Sequence, residues 1–129
     1  MSNSNKEALQ TDQAPAPIGP YSQAVKVGET IYLSGQIPLD PATGELIDGD
    51  IDAMSRRIFE SLSAVMQTAG GSLANVVKLT IYLVDLNDFA AVNAVMAEYF
   101  DAPYPSRATV AIAALPKGSP VEVEAIAHL

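Results

Sequence analysis

Two short stretches carry the side chains best suited to chemistry. Pro105-Ser106-Arg107 leads into Ala108-Thr109-Val110-Ala111-Ile112-Ala113, which joins the only arginine outside the first helical stretch to a strand of small and apolar residues. A guanidinium at the mouth of an apolar strand can grip a planar carboxylate through two parallel hydrogen bonds. Farther along, Val121-Glu122-Val123-Glu124-Ala125-Ile126 carries two carboxylates on a second apolar strand. A cation that binds an acid and a carboxylate that moves a proton make a minimal catalytic kit. Each also has a bland reading. Arg107 after a proline is what a surface or interface arginine looks like, and Glu122 with Glu124 is what an edge strand guarded by charge looks like. The row Arg107, Thr109, Ala111, Ala113 shares one face by period two and holds nothing to shield the guanidinium but backbone or a ligand. If one glutamate is partly buried, its raised pKa suits proton shuttling near neutral pH. The sequence leaves open which of the two that is.

Other residues are candidates of lower specificity. Tyr21, after Gly19-Pro20, reads equally as core packing or as a site hydroxyl. Ser34-Gly35-Gln36 ends a strand with a glycine, which often marks a ligand or backbone in close approach. Ser34 is not read as a nucleophile, because the chain has a single histidine, His128, and no elbow motif. Asn93 sits between Val92 and Val95, either facing solvent or bracing a loop. Gly70-Gly71 is a helix stop and not a phosphate loop, since no Lys-Ser/Thr follows.

Composition narrows the classes. A chain of 129 residues reads as one domain, and 49% apolar with 17% charged residues is globular. The formal net charge of −8 disfavours nucleic acid and anionic membranes, which need a basic stripe. The absence of cysteine removes disulfides, thiolate chemistry and cysteine-based zinc sites. With one histidine and no Asp/Glu cluster of suitable spacing, no metal site is expected. No apolar run approaches the roughly 20 residues of a membrane helix. The N-terminus lacks a hydrophobic signal core, so the expectation is a soluble cytoplasmic protein.

The elements that must position these residues follow in order. Residues 1–13 are polar and read as a flexible tail. Residues 14–20 hold Pro15, Pro17 and Pro20 and must be extended. Residues 21–27 and 30–36 alternate like strands around Gly28-Glu29, a hairpin. A loop spans 38–49. Apolar residues at Ile51, Met54, Ile58, Leu62, Val65, Met66 and Ala69 predict a helix over 50–69, with Arg56, Arg57, Glu60 and Gln67 on its wet face. A strand over 76–84 places Val77, Leu79, Ile81 and Leu83 on one face. Asp85 or Asn87 caps a second helix reaching about Phe100, and the Arg107 and Glu122 strands follow. The order ββαβαββ is an α+β plan, with two helices packed on one face of a mixed sheet. The other face, expected to carry Thr80, Tyr82, Thr109, Ala111 and Ala113, is too small and apolar for water, and a symmetric oligomer would cover it.

Together these residues form a pattern. Ile18-Gly19-Pro20-Tyr21, Ser34-Gly35-Gln36-Ile37-Pro38, the run from Val84-Asp85-Leu86 to Asn93, Pro105-Ser106-Arg107 and Val121-Glu122-Val123-Glu124-Ala125-Ile126-Ala127 occur in that order. In this the chain resembles the RidA family of reactive intermediate (enamine/imine) deaminases, over nearly its whole length, with 14–129 as a single RidA-like domain. The resemblance implies a chorismate-mutase-like fold and a homotrimer whose sheets pack into a central barrel, with active sites between subunits. It implies that Arg107 binds the substrate carboxylate and that Glu122 positions the attacking water. Tyr21, Ser34, Gly35 and Asn93 become pocket residues, and the backbone of Thr109 a second water ligand. RidA proper usually has cysteine at that position; as the backbone carbonyl is what serves there, activity is expected to survive. The implied reaction is hydrolysis of small 2-imino acids, such as 2-iminopropanoate and 2-iminobutanoate, to 2-oxo acids and ammonia without metal or organic cofactor. The alternatives are a non-catalytic small-acid-binding or holdase-like trimer, an RNA-directed role, which the charge opposes, and a chorismate mutase, which needs more cations than Arg107 alone.

Overall fold

Local signals account for most of the elements in the computed structural model, which describes residues 5–129. Gly28, at φ +59, makes the two-residue turn between strands β2 (Ala24–Val27) and β3 (Thr30–Gln36). Helix α1 (Ile51–Thr68) opens on Asp50, whose carboxylate accepts the Ala53 N–H at 2.9 Å. It closes where Gly70, at φ +79, donates to the Gln67 carbonyl and Gly71 donates to that of Met66. This paired arrangement satisfies carbonyls the helix end would otherwise orphan. Its apolar stripe buries Ile58, Phe59, Leu62, Val65 and Met66. Strand β4 (Val76–Leu83), helix α2 (Phe89–Tyr99), strand β5 (Ser106–Ala111) and strand β6 (Val121–His128) complete the predicted series.

The six strands form one sheet, ordered β1-β2-β3-β6-β4-β5, with β1 at Lys6–Leu9. All pairings are antiparallel except β4 with β5. Both helices pack on one face, and the core lies between them and the sheet, from Ile31 and Leu33 through Leu79, Ile81 and Val123. The architecture is therefore α+β with two helices on a mixed sheet.

Four particulars depart from the sequence expectations. The tail expected over 1–13 contributes strand β1, so the order is βββαβαββ; residues 1–4 lie outside the described residues. The strand has no apolar alternation of its own. It is held by pairing with β2, by burial of Leu9, and by the buried Gln23 side chain, which donates to the carbonyls of Thr11 and Pro15. Second, Val77 is 49% exposed and not on the core face, because the β4–β6 register shifts between Val76 and Lys78. A bulge there resets which residues point inward. Third, Asp85 caps a short 3₁₀ turn at Leu86–Asp88 and not α2 itself.

The row Arg107, Thr109, Ala111 also lies on the face opposite to the one expected. In the parallel β4–β5 register, Arg107 pairs with Leu79, Thr109 with Ile81 and Ala111 with Leu83, all core-facing residues. The row therefore points to the helix side. The uncovered face instead carries Thr80 and Tyr82 beside Ala108 and Val110, and across β6 beside Glu124 and Glu122.

Candidate functional site

Glu122 stands on β6 between the buried Val121 and Val123, so its side chain emerges on the uncovered face. Across from it the β3–β6 pairing is irregular between Leu33 and Gln36, where Ser34 and Gly35 stand. The carboxyl lies directly over Gly35. A Cβ there would sit 2.8 Å from Oε2, 2.9 Å from Cδ and 3.2 Å from Cγ of Glu122. Only glycine leaves that space. Burial pushes the Glu122 carboxyl above the usual carboxylate range, and the negative charge of Glu124 adds to the rise. Glu124 is the exposed member of the pair and accepts a hydrogen bond from the Tyr82 hydroxyl at 3.2 Å. The structure thus resolves which glutamate is partly buried.

The surroundings of Glu122 are built by the chain ahead of the hairpin. Ser34 donates its N–H to the Gln23 carbonyl at 3.0 Å and its hydroxyl to the Ser22 carbonyl at 2.6 Å. Its hydroxyl is spent holding this segment beside β3. Tyr21 is exposed and joins Gly35, Lys117 and Glu122 in lining a cavity of about 340 Å³. The rest of the wall is largely apolar, including Ile18, Ile37 and Leu39.

Arg107 occupies a different place. Its guanidinium lies 5.1 Å from the centroid of the Phe89 ring, donates to Asn93 Oδ1, and touches Met96 Sδ at 3.5 Å. Asn93 thus braces the arginine, one of the two roles open to it in the sequence. The remaining N–H groups of the fork have no protein partner among the described residues. Arg107 and Asn93 line a second cavity of about 410 Å³ with Met96, Ala97, Tyr104 and Pro105. Thr109 lies two positions along the same row but lines neither cavity, and its hydroxyl is buried without a partner.

The minimal kit is therefore divided. Arg107, Asn93 and Thr109 belong to the helix side of the edge strand, whereas Tyr21, Gly35 and Glu122 belong to the opposite side at the centre of the sheet. Several lining residues escaped the sequence reading, Tyr104 and Lys117 among them. Tyr104, 62% exposed, lies between Pro103 and Pro105 and looked like helix-ending loop. Lys117 looked like the middle of a Pro-Lys-Gly turn. Proximity in sequence to Arg107 and Glu122 was the one signal available for either. Among the described residues, no group of three or more His, Cys, Asp and Glu is placed to hold a metal ion. No helix among them is long and apolar enough to cross a membrane.

A family model described as endoribonuclease L-PSP matches residues 11–129. A crystal structure of RidA from a Psychrobacter species superposes with a TM-score of 0.92 at 50% identity, covering 95% of this chain and 99% of that one. The chain belongs to the RidA family. Other members are similar throughout: a RutC family protein of Pyrococcus abyssi is 52% identical over 95% of this chain and 97% of its own. A 2-iminobutanoate/2-iminopropanoate deaminase of Capra hircus is 47% identical over 98% of this chain and 93% of its own. RidA membership agrees with the motifs from Ile18 to Ala127, which run through both cavities.

Proposed function

We propose that the protein hydrolyses small 2-imino acids to 2-oxo acids and ammonia, in sites completed by a second copy of the chain. The observation that carries this reading is the half-buried Glu122 carboxyl over Gly35, poised by its surroundings to accept and return a proton. The relatives named as imine deaminases support the choice of substrate.

Arg107 takes the substrate carboxylate with the N–H groups that Asn93 leaves free. Glu122 holds a water and takes its proton as the oxygen attacks the imine carbon, converting C=N to a carbinolamine. Glu122 then returns the proton to nitrogen, the C–N bond breaks as the carbinolamine hydroxyl gives its own proton to Glu122 and becomes the carbonyl, and the departing ammonia takes that proton and leaves as ammonium. A protonated imine is already electrophilic, so the reaction asks for no cofactor. Acid–base assistance of this kind is worth roughly 10²–10⁴-fold.

Because the two groups lie on opposite faces of the sheet, one chain cannot present both to one small molecule. Oligomer formation supplies the remedy. The uncovered face exposes Tyr32 and Val110, and β5 ends the sheet with an open edge. Packing such faces around an axis, as in a homotrimer, would bring the Glu122 cavity of one copy toward the Arg107 cavity of its neighbour. On this reading Tyr21, Gly35, Asn93 and the Thr109 backbone are substrate-binding positions.

The test generates 2-iminopropanoate or 2-iminobutanoate in situ with an amino-acid oxidase and follows its loss. Wild type is expected to accelerate the loss and Arg107→Ala to abolish the acceleration. No acceleration across short, long and aromatic imines would overturn the reading in favour of a non-catalytic binding protein.

A further inference from the structure

Lys117 is the one non-glycine residue with a left-handed backbone among the described residues, at φ 57 and ψ 19. Glycine adopts this conformation without steric cost, and lysine does not. A strained residue of this kind calls for a reason beyond turning the chain. Gly118, at φ 72, already provides a left-handed residue in the same turn. The residue that bears this strain lines the Glu122 cavity.

Its charge is singular there. Among the described residues that line the two cavities, Arg107 and Lys117 carry the only positive charges, one in each. Lys117 forms no ion pair within 4.0 Å, since the salt bridges of the described residues both belong to Arg56. Lys117 thus lines the same cavity as Glu122 without being paired to it. A substrate carboxylate approaching this cavity meets Glu122, Glu124 and a chain whose net charge is −8. That field repels an anion, and one unpaired cation on the wall offsets it.

We propose that Lys117 is a substrate-recruiting residue, which draws the anionic imino acid into the Glu122 cavity for capture by Arg107. The proposal rests on reading the site as one for small carboxylates. It acts on binding and not on the chemical step, so it separates KM from kcat.

The experiment compares wild type, Lys117→Met, Lys117→Arg and Lys117→Gly as the assembled full chain. It measures turnover of in situ imine and, independently, calorimetric binding of 2-oxobutanoate, over a range of salt. Lys117→Met is expected to raise both KM and Kd about two- to fivefold, the scale of an exposed charge pair, with kcat unchanged. The difference should fade as salt screens the charge. Lys117→Arg should remain near wild type. Lys117→Gly should bind as weakly as the Met variant while melting at the same or a higher temperature, because the backbone strain is relieved. Unchanged Kd in the Met and Gly variants, an equal loss in the Arg variant, or a wild type that does not bind 2-oxobutanoate would each overturn the proposal. Lys117-dependent binding without imine turnover would sink the deaminase reading alone and leave this one standing.

Discussion

Arg107 and Glu122 sit in two halves of the proposed site, and the halves are constructed differently. Arg107 is on β5, an edge strand on which every residue but Thr109 is exposed, and other side chains aim it: Asn93 by a hydrogen bond and Phe89 by its ring face. Glu122 is on β6, paired on both sides, with buried residues before and after it and the Gly35 backbone pressed against its carboxyl. The difference suits the role proposed for each group. A guanidinium stays charged in any protein environment, so it needs direction but no tuning. A carboxylate that handles protons near neutral pH needs a raised pKa, and for Glu122 partial burial on a central strand supplies it, with the charge of Glu124 adding to the rise. Half of the proposed site is therefore rigid scaffold and half is adjustable edge.

Substitutions test this contrast. Glu122→Gln should produce the largest change: kcat falls by about 10²–10⁴-fold while 2-oxo acid binding persists, read by imine loss and calorimetry. Loss of binding in that variant would mean the cavity holds the ligand by Glu122 and not by Arg107. Next, Arg107→Lys should fail to replace the arginine, since a point charge cannot make the bidentate grip. The loss should reach about 1.5–3 kcal/mol in kcat/KM, the worth of a hydrogen bond to a charged group. Gly35→Ala should cost about 1–3 kcal/mol of stability through crowding and lower kcat, with ligand binding at Arg107 retained. An unaltered kcat would show that the carboxyl can shift without consequence. Asn93→Ala, on the adjustable side, should raise KM by the few-fold worth of about 1 kcal/mol for one hydrogen bond, and leave the melting temperature unchanged.

The smallest effect concerns pH. Burial raises the folded-state pKa of Glu122 above its unfolded value, so the ionised carboxyl destabilises the fold at neutral pH. That penalty shrinks as pH falls through the raised pKa and is gone below the unfolded one. Glu122→Gln should therefore melt slightly higher than wild type at neutral pH, with the gap closing in acid. The same ionisation predicts that wild-type kcat/KM declines as pH drops through the raised pKa, because the protonated carboxyl cannot accept the proton of water.

Local patterning was enough for the hairpin at Gly28, for α1 between Asp50 and Gly70, for the strands around Leu79 and Val123, and for the α+β plan. Those features depend on spacing, capping and turn residues a few positions apart, which a sequence displays directly. The residue types of the site were legible on the same basis, including the period-two row from Arg107 and the glycine that marks a close approach. Strand β1 was not legible, because its polar residues are held by β2 and Gln23 from elsewhere in the chain. Nor was the bulge that turns Val77 outward, since nothing within the strand announces it. The face taken by Arg107 and the choice of Glu122 over Glu124 as the half-buried acid belong to tertiary structure alone. Period two groups side chains into rows, but only the register against β4 says which row meets the helices, and a slip of one residue reverses it. Burial of a carboxyl likewise depends on what crosses it, here Gly35 from a strand far away in sequence.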